Sequence, residues 1–362
     1  MRRYIMIALV ATLFAGCVKD RVNELSVDSF GKKIHASIEP TESRVQLDVN
    51  KHTVWNADDK IVLYEDGACS VLSFDGKTGD RSGTFTVQKS YNTNIQTNGA
   101  HYALYSCDNQ QLMAGSWSDG TLALFATVPA EQNYLADSYG LNSNILLGAS
   151  DDGENFSFKN LLGYLRLAVV GEKRVDSIEL MNNSGGAVAG LVALMVTNVD
   201  FWQLSDSPSS SITLNCGAGV QLSSSPVNFY FAMLPTMLEE GISVNIHFTD
   251  GTSFIQNTNN AITIERNVIQ PMAVINTNID ESDYKRVLIH HTNRLFVTPL
   301  VEGYSNGSID WGDGNVSLLN EFSSYEYTDN ATSHIITIKA IPMNSVTLPT
   351  MKGVTKLDLS NF

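Results

Sequence analysis

The stretch Ile242-Ser-Val-Asn-Ile-His-Phe-Thr249 alternates between apolar and polar side chains at every position. A period of two residues predicts a β-strand with one face against a core and the other in water. The run Val227–Leu234 is apolar on both faces apart from Asn228, which predicts a central strand covered on both sides. Both patterns indicate strands rather than helices.

Short runs of the same kind recur along the chain, and clusters of Gly, Asn, Asp and Ser separate them. No window of useful length has apolar residues at helical spacing. Strands this short, with turn signals roughly every 8–12 residues, are typical of β-sandwiches. We therefore expect an all-β fold of tandem antiparallel β-sandwich domains. The other predicted strands are 60–64, 83–87, 101–106, 121–128, 163–170, 175–180, 211–215, 261–265 and 334–341.

The composition restricts the classes of partner. The 362 residues include 23 Lys and Arg against 38 Asp and Glu, a formal net charge of −15. A surface this negative repels phosphate groups, so we expect no nucleic-acid partner. Hydrophobic residues make up 43% of the chain, which excludes wholesale disorder and leaves material for several cores.

The N-terminus has the organisation of an export signal. Arg2-Arg3 precedes an apolar stretch at 5–14, shorter than the roughly 20 residues needed to span a bilayer. Ala15-Gly-Cys17 follows and resembles the bacterial lipobox, although Phe14 stands where Leu is commonest. The resemblance implies removal of a signal peptide at 1–16 and acylation of Cys17, which would hold the protein on the outer membrane at the cell surface. The alternative is an ordinary signal peptide that a cysteine happens to follow.

Four cysteines in a chain of 362 residues do not make a disulfide scaffold. Beyond Cys17, the remaining Cys69, Cys107 and Cys216 are an odd number and cannot all pair with one another. The sequence does not decide whether Cys69 and Cys107 meet, and buried free thiols are the simpler interpretation.

Two acidic segments, 151–154 and 280–284, interrupt the pattern of strands and predict domain boundaries. The polar residues 17–44 form a leader that could be a strand or a propeptide. Three β units follow in this prediction: a first sandwich at 45–153, a second at 154–280 and a shorter segment at 285–362.

A series of motifs between residues 50 and 278 resembles the fimbrillin family of Bacteroidetes lipoproteins. The opening Trp55-Asn-Ala-Asp-Asp-Lys-Ile61 is similar to the family's W-x-x-G-D-x-I pattern, with Asp58 in place of the usual Gly. Single motifs are weak, since their aromatic residues suit a core and their prolines suit strand ends. Their order and spacing carry the resemblance. The further motifs are Gly83-Thr-Phe85, His101-Tyr-Ala-Leu-Tyr105, Val128-Pro-Ala-Glu-Gln132, Phe156-Ser-Phe-Lys-Asn160, Gly163-Tyr-Leu-Arg-Leu167, Ser177-Ile-Glu-Leu180, Gly190, Phe229-Tyr-Phe231, Leu234-Pro235 and Glu265-Arg-Asn-Val-Ile269.

The resemblance implies a fimbrial (pilus) subunit or a tip or accessory adhesin that is assembled by β-strand exchange. In many members a trypsin-like protease removes a leader strand at an Arg or Lys, and a strand from a neighbouring subunit fills the groove that opens. Arg44, just before Val45-Gln-Leu-Asp-Val49, is the expected cleavage site, and an exposed strand-flanking arginine is the alternative. The implied partners are other fimbrial subunits, outer-membrane lipid through Cys17, and a host protein or glycan receptor.

The C-terminal segment has a different character. Ser308-Ile-Asp-Trp-Gly-Asp-Gly314, followed by Tyr325-Glu-Tyr327 and His334-Ile-Ile-Thr-Ile338, resembles the polycystic-kidney-disease (PKD) repeat, a small β-sandwich. In this resemblance Trp311 fills a core. An appended module favours a tip or accessory position over a shaft subunit.

Two carboxylates, Asp310 and Asp313, flank the tryptophan and glycine of that motif. They could ligate calcium, but calcium takes six to eight oxygens. Because Asp313-Gly314 suits a tight turn, the turn is the preferred interpretation and no metal is expected.

The sequence contains no motif for catalysis or for a cofactor. Its seven histidines form neither H-E-x-x-H nor a zinc spacing with cysteine pairs, and no G-x-S-x-G elbow, P-loop or dinucleotide fingerprint is present. We therefore expect that the protein is not an enzyme. The alternative function is a surface glycan-binding lipoprotein of a polysaccharide-uptake system. It would need exposed aromatic side chains, for which Trp117 and Trp202 are the loop candidates, and both are expected to be partly buried.

Overall fold

The computed structural model describes residues 31–39, 42–43, 53–106, 114–117, 120–141, 143–198, 202–278, 281–302, 306–319, 324–328, 333–341, 343–348 and 352–362. The signal peptide at 1–16, Cys17, Arg44 and Cys107 lie outside the described residues, so their assignments stay predictions. Within the described ranges the regular structure is β-strand apart from one 3₁₀ helix, Glu281–Asp283, which confirms the all-β prediction. No helix in this part of the chain is long and apolar enough to cross a membrane.

The strand predicted from the opening alternation is present over Ile242–Phe248. In chain order the strands are β1 (Lys33–Ile38), β2 (Glu42–Ser43), β3 (Lys60–Glu65), β4 (Ala68–Phe74), β5 (Ser82–Asn92), β6 (His101–Tyr105), β7 (Ala114–Ser116), β8 (Leu122–Val128), β9 (Glu131–Asn133), β10 (Leu146–Ser150), β11 (Asn155–Asn160), β12 (Gly163–Val170), β13 (Arg174–Asn182), β14 (Ala189–Met195), β15 (Trp202–Ser209), β16 (Ser211–Gln221), β17 (Val227–Met233), β18 (Thr236–Leu238), β19 (Ile242–Phe248), β20 (Ser253–Thr258), β21 (Ile262–Ile264), β22 (Val268–Pro271), β23 (Ile275–Asn276), β24 (Lys285–His291), β25 (Leu295–Val297), β26 (Leu300–Glu302), β27 (Asn306–Asp310), β28 (Val316–Leu318), β29 (Ser324–Glu326), β30 (His334–Ile341), β31 (Ser345–Thr347) and β32 (Val354–Asn361).

Seven strands close into a barrel in the order β1-β11-β10-β6-β3-β4-β5. Alternate side chains of these strands point inward, as the period of two requires, and they meet around Trp55, which is fully buried. The barrel core consists of Ile34, Ala36, Ile38, Trp55, Ile61, Leu63, Leu72, Phe74, Phe85, Val87, Ala103, Tyr105, Leu146, Phe156 and Phe158.

The strand at Asn155–Asn160 belongs to this barrel, which corrects the predicted domain boundary between residues 153 and 154. It pairs antiparallel with β10 and parallel with β1. The acidic segment before it is a hairpin turn, because the carboxylate of Asp152 accepts hydrogen bonds from the backbone N–H groups of Glu154 and Asn155, each at 2.8 Å. The acidic residues therefore close a turn inside the barrel and do not separate two domains.

A second and larger core lies between sheets that combine both predicted sandwiches. The sheet orders are β17-β12-β22-β2, β20-β19-β13-β16-β9 and β15-β14-β8-β7, with β23 paired to β12. The strands β7, β8 and β9 precede residue 153, yet β8 pairs with β14 and β9 pairs in parallel with β16. The first sandwich is therefore not the continuous segment 45–153, and the pairing is not purely antiparallel. The other predicted boundaries stay predictions.

The run Val227–Leu234, apolar apart from Asn228, contains β17 (Val227–Met233), which ends its sheet instead of lying in the middle as predicted. The side-chain amide of Gln132 covers the edge: its Nε2 donates to the carbonyl of Ala232 at 2.6 Å, and its Oε1 accepts from the Ala232 N–H at 3.0 Å. This pair of bonds imitates a neighbouring strand. It gives Gln132, the last residue of one quoted motif, a structural role.

The C-terminal segment has its own core. Its main sheet has the order β28-β27-β30-β24-β32, and the pairs β25-β29 and β26-β31 lie beside it. Trp311 is 1% exposed and stacks on Tyr325 with 4.6 Å between ring centroids. The predicted core role of this tryptophan agrees with that burial, whereas the assignment to a PKD-like repeat stays a resemblance.

Candidate functional site: the leader-strand slot

Part of the predicted leader forms β1, here called the leader strand, which lies in the barrel between β5 and β11. It runs antiparallel to β5, with Ile34 opposite Phe85. It runs parallel to β11, with Ile38 opposite Phe158. We call the gap between β5 and β11 the slot. One strand from the N-terminal part of the chain fills it and closes the barrel.

The leader strand is amphipathic at the period of a strand. Ile34, Ala36 and Ile38 are 1%, 0% and 5% exposed, while Lys33 and His35 face solvent. Burying an isoleucine side chain stabilises a fold by about 1.5–3 kcal/mol, so the two isoleucines contribute a large share of the free energy that holds this strand in the barrel. The middle inward position has a small side chain, and its neighbour across the antiparallel pairing is Gly83.

Aromatic rings line the inside of the slot. The ring of Trp55 meets Phe85 of β5 edge-on at 4.9 Å and Phe158 of β11 edge-on at 5.2 Å. A Cβ atom on Gly83 would lie 2.6 Å from the ring of Phe74, so this part of the wall has no spare volume. The space beneath the middle of the leader strand is therefore already filled.

A charged group holds the end of the leader strand. Glu39 follows β1, and its backbone N–H donates to the carbonyl of Phe158 at 2.9 Å. Its carboxylate oxygen Oε1 accepts from the backbone N–H of Asn160 at 2.7 Å and from the guanidinium Nη1 of Arg266. Nη1 of Arg266 also donates to the Asn160 carbonyl at 2.7 Å. We call Glu39, Asn160 and Arg266 the carboxylate clamp.

The clamp rests on buried polar side chains. Asn160 is 0% exposed, its amide nitrogen donates to the hydroxyl of Tyr164, and its Oδ1 accepts from the Leu162 N–H at 3.1 Å. Tyr164 in turn donates to Oδ1 of Asn144 at 2.9 Å. Burial raises the pKa of Tyr164 far above its ordinary value, so the phenol stays a neutral donor. These bonds fix the orientation of Asn160 beneath the carboxylate.

The leader continues into the second unit. Glu42–Ser43 forms β2, which pairs in parallel with β22 at Val268 and Ile269. The expected cleavage site, Arg44, follows at once in the sequence but lies outside the described residues. A cut there would break the covalent link between β1 and β2 and the rest of the chain. The leader would then be held only by its contacts with the barrel and with the sheet that contains β22.

Asn160 and Arg266 lie within the motifs that resemble the fimbrillin family, as do Trp55, Phe85 and Phe158, but the sequence predicts no role for the two polar residues. Glu39 and Arg266 are 227 positions apart in the chain, and no local sequence pattern predicts that their side chains meet. The alternation Ile34-x-Ala36-x-Ile38 was the one available signal for the leader strand, and it lies within the polar stretch 17–44.

The other predicted site residues do not gather into a site. Trp117 and Trp202, the aromatic candidates for a glycan platform, are both half-buried, and Trp202 packs against the larger core. Cys69 and Cys216 are buried free thiols, and burial raises their pKa values to about 11 and about 12. No group of three His, Cys, Asp or Glu side chains suited to a metal ion is found among the described residues.

The two carboxylates beside Trp311 act in the turn. Oδ1 of Asp310 accepts from the Gly312 N–H at 2.9 Å, and Oδ1 of Asp313 accepts from the Asn315 N–H at 3.0 Å. The hydroxyl of Tyr325 donates to Oδ2 of Asp313 at 2.7 Å and lowers the pKa of that carboxyl. These are the hydrogen bonds of Asx turns, which agrees with the preferred interpretation of the motif.

No protein-family model matches the chain, and no curated protein sequence matches it. Among solved structures, a protein assigned to cell adhesion from Bacteroides uniformis matches 70% of this chain and 95% of its own, at 10% identity and a TM-score of 0.39. A second protein assigned to cell adhesion, from Bacteroides fragilis, matches 83% of this chain and 99% of its own, at 11% identity and a TM-score of 0.35. A fimbrial protein from Bacteroides ovatus matches 79% and 53%, at 10% identity and a TM-score of 0.28. Similarity at this level establishes neither a shared family nor a shared activity.

Proposed function

We propose that the chain is a cell-surface fimbrial subunit, or a tip or accessory adhesin, that joins a neighbouring subunit by β-strand exchange and catalyses no reaction. The observation that supports it most is the leader strand, which is an N-terminal strand seated between β5 and β11 and attached to the rest of the chain near a basic residue. The ordered motifs from Trp55 to Ile269 point to the same class of protein.

The physical basis is the edge that a lost strand leaves behind. Without β1, the strands β5 and β11 become the edges of an open six-stranded sheet, since each pairs on its other side with β4 or β10. The unpaired backbone groups and the apolar wall around Trp55 would then face water, which is unfavourable for an isolated subunit. A strand from a neighbour restores both ladders, as in other cases of β-augmentation.

Cleavage after Arg44 is the step that would free the slot. In a cell that assembles the fimbria, the subunit sheared from the surface is expected to begin at Val45 when its N-terminus is sequenced. Arg44→Ala should retain the leader and stay out of the assembled fraction, whereas Arg44→Lys, which a trypsin-like protease still cleaves, should assemble normally. An assembled subunit that begins at Cys17 contradicts the proposal.

Before that cleavage, the protein is expected to be held on the outer membrane through acylated Cys17. Two or three acyl chains give stable anchoring, whereas a single chain is reversible. Labelled palmitate should enter the wild-type precursor and should not enter a Cys17→Ala variant. Equal labelling of the two proteins would show that the lipid is not on this cysteine.

A further inference from the structure

The carboxylate clamp poses a problem for any strand that replaces the leader. In the intact chain Glu39 accepts hydrogen bonds from two donors, the Asn160 N–H and the Arg266 guanidinium. The side chains of Arg266 and Glu39 are 25% and 21% exposed, so water reaches them only in part. If the leader departs, Nη1 of Arg266 keeps the Asn160 carbonyl but loses the Glu39 carboxylate.

An incoming strand without a carboxylate at this place would not replace the acceptor that Nη1 of Arg266 and the Asn160 N–H share in the intact chain. Removing one partner of a charged, partly buried hydrogen bond is more unfavourable than the bond itself is favourable, because the remaining group has already lost its water. Because Asn160 has no exposed surface, water cannot readily replace the carboxylate as the acceptor for its N–H. A strand that brings its own carboxylate avoids the loss.

The rest of the slot restricts the strand that precedes the carboxylate. Ile34 and Ile38 occupy apolar sites, while Ala36 sits opposite Gly83, where the ring of Phe74 fills the wall. A larger side chain at the middle position would overfill the barrel. Direction is fixed as well, because the occupant must run parallel to β11 and antiparallel to β5.

We infer that the slot selects its partner by chemistry: the strand of a neighbouring subunit that enters it has the pattern apolar-x-small-x-apolar-acidic, and the acidic side chain binds Arg266 and the Asn160 N–H. This inference rests on the proposed function, since it describes the partner of the same slot. The alternating apolar residues supply affinity, and the carboxylate fixes the register, since a strand shifted by two residues would miss the clamp.

The test uses the full chain with a site-specific protease sequence inserted after Arg44. After the cut, labelled peptides that correspond to residues 31–43 compete for the slot, and their binding is followed by fluorescence anisotropy. The Glu39→Gln peptide should bind about 10- to 100-fold more weakly than the native peptide, the range expected for a charged hydrogen bond. Glu42→Gln, which removes the same charge three residues away, is the matched control and should bind like the native peptide.

A second pair of peptides tests the small position. Ala36→Leu should weaken binding about 10-fold or more through overpacking, whereas Ser37→Leu, on the outward side, should have a small effect. In an Arg266→Met chain the difference between the native and Glu39→Gln peptides should disappear.

The outcomes separate the two hypotheses. If the native peptide does not bind the cut chain, the strand-exchange function itself is wrong. If it binds but the Glu39→Gln and Glu42→Gln peptides bind equally, the strand-exchange function stands. The inference that the slot selects a strand with an acidic side chain at this position is then wrong. The intact chain gives an independent measure that needs no cleavage: Glu39→Gln should accelerate hydrogen exchange of the β1 amides about 10- to 100-fold, and Glu42→Gln should not.

Discussion

Replacing Trp55 with alanine is expected to lower the free energy of unfolding of the barrel by about 3–5 kcal/mol, the usual loss for a large buried aromatic side chain. The indole is fully buried, and its edge-on contacts reach Phe85 on one side of the slot and Phe158 on the other. Alanine would leave a cavity between these two strands. They cannot move together to fill it while the leader strand lies between them, so the cavity persists.

The loss is large against the total stability of a domain, which is typically about 5–15 kcal/mol. Hydrogen exchange measured by mass spectrometry reports the loss of stability separately for the barrel and for the C-terminal unit. Amides of β1, β5 and β11 should exchange at least about 100-fold faster in Trp55→Ala, since each 1.4 kcal/mol corresponds to about tenfold. Amides of β24 in the separate C-terminal core should be unchanged.

Trp55→Phe is the matched control. The indole N–H of Trp55 has no hydrogen-bond partner among the described residues, so phenylalanine removes volume without breaking a bond seen in the structure. Its loss should stay below about 1.5 kcal/mol, as for other swaps that keep an aromatic or apolar group of similar shape. Wild-type exchange rates in Trp55→Ala would mean that the ring does not support the slot.

The local parts of this fold could be predicted from the sequence because they depend on local patterns. The alternation over Ile242–Phe248 fixes a strand whatever its neighbours are, and the structure has that strand. Trp55 was expected in a core because large aromatic residues bury their area, and Trp311 because the motif around it resembles a small β-sandwich. Both side chains are at most 1% exposed.

Pairing between strands could not be predicted in the same way. The pattern of Asn155–Asn160 indicates a strand but not its partners, and the acidic turn before it resembles a domain break. Short strands with similar patterns have many partners of nearly equal hydrophobic gain, so the sequence alone does not choose among them. For this reason β7, β8 and β9 were placed in the wrong unit, and the carboxylate clamp was not foreseen.

The C-terminal unit contains a pair of buried histidines that the sequence also did not bring together. His291 and His334 lie opposite each other on β24 and β30, are 0% and 5% exposed, and have ring centroids 5.7 Å apart. Nδ1 of His291 accepts the backbone N–H of Asn293 at 3.2 Å, so its proton is on Nε2, which donates to the hydroxyl of Tyr327, also at 3.2 Å. This arrangement fits a neutral ring only.

Burial lowers the pKa of His291 below its ordinary value of 6.5, and the neighbouring His334 lowers it further. The titratable side chains of His334 and Tyr327 lie against this ring, and His334 is the charged neighbour that shifts its pKa. Between the lowered pKa and 6.5 the unfolded chain binds a proton that the folded unit does not, so stability falls as the pH falls. The neutral His291 ring therefore contributes its full stabilisation of the folded unit above about pH 6.5. This contribution decreases as the pH falls, and it reaches a constant lower level once the pH is below the lowered pKa.

Acidification is therefore expected to destabilise the C-terminal unit by up to about 1.4 kcal/mol for each pH unit in that window. The free energy of opening of β24 and β30, from hydrogen exchange corrected for the intrinsic rate, should be lower at about pH 5 than at about pH 8. His291→Gln should remove most of this difference, because no imidazole remains to be protonated in that position. His290→Gln is the matched control, since the neighbouring ring lies on the opposite face of the strand, half-exposed, and should leave the pH dependence intact. Equal opening energies at the two pH values, or the same loss of pH dependence in both variants, would exclude His291 as the group that destabilises the unit in acid.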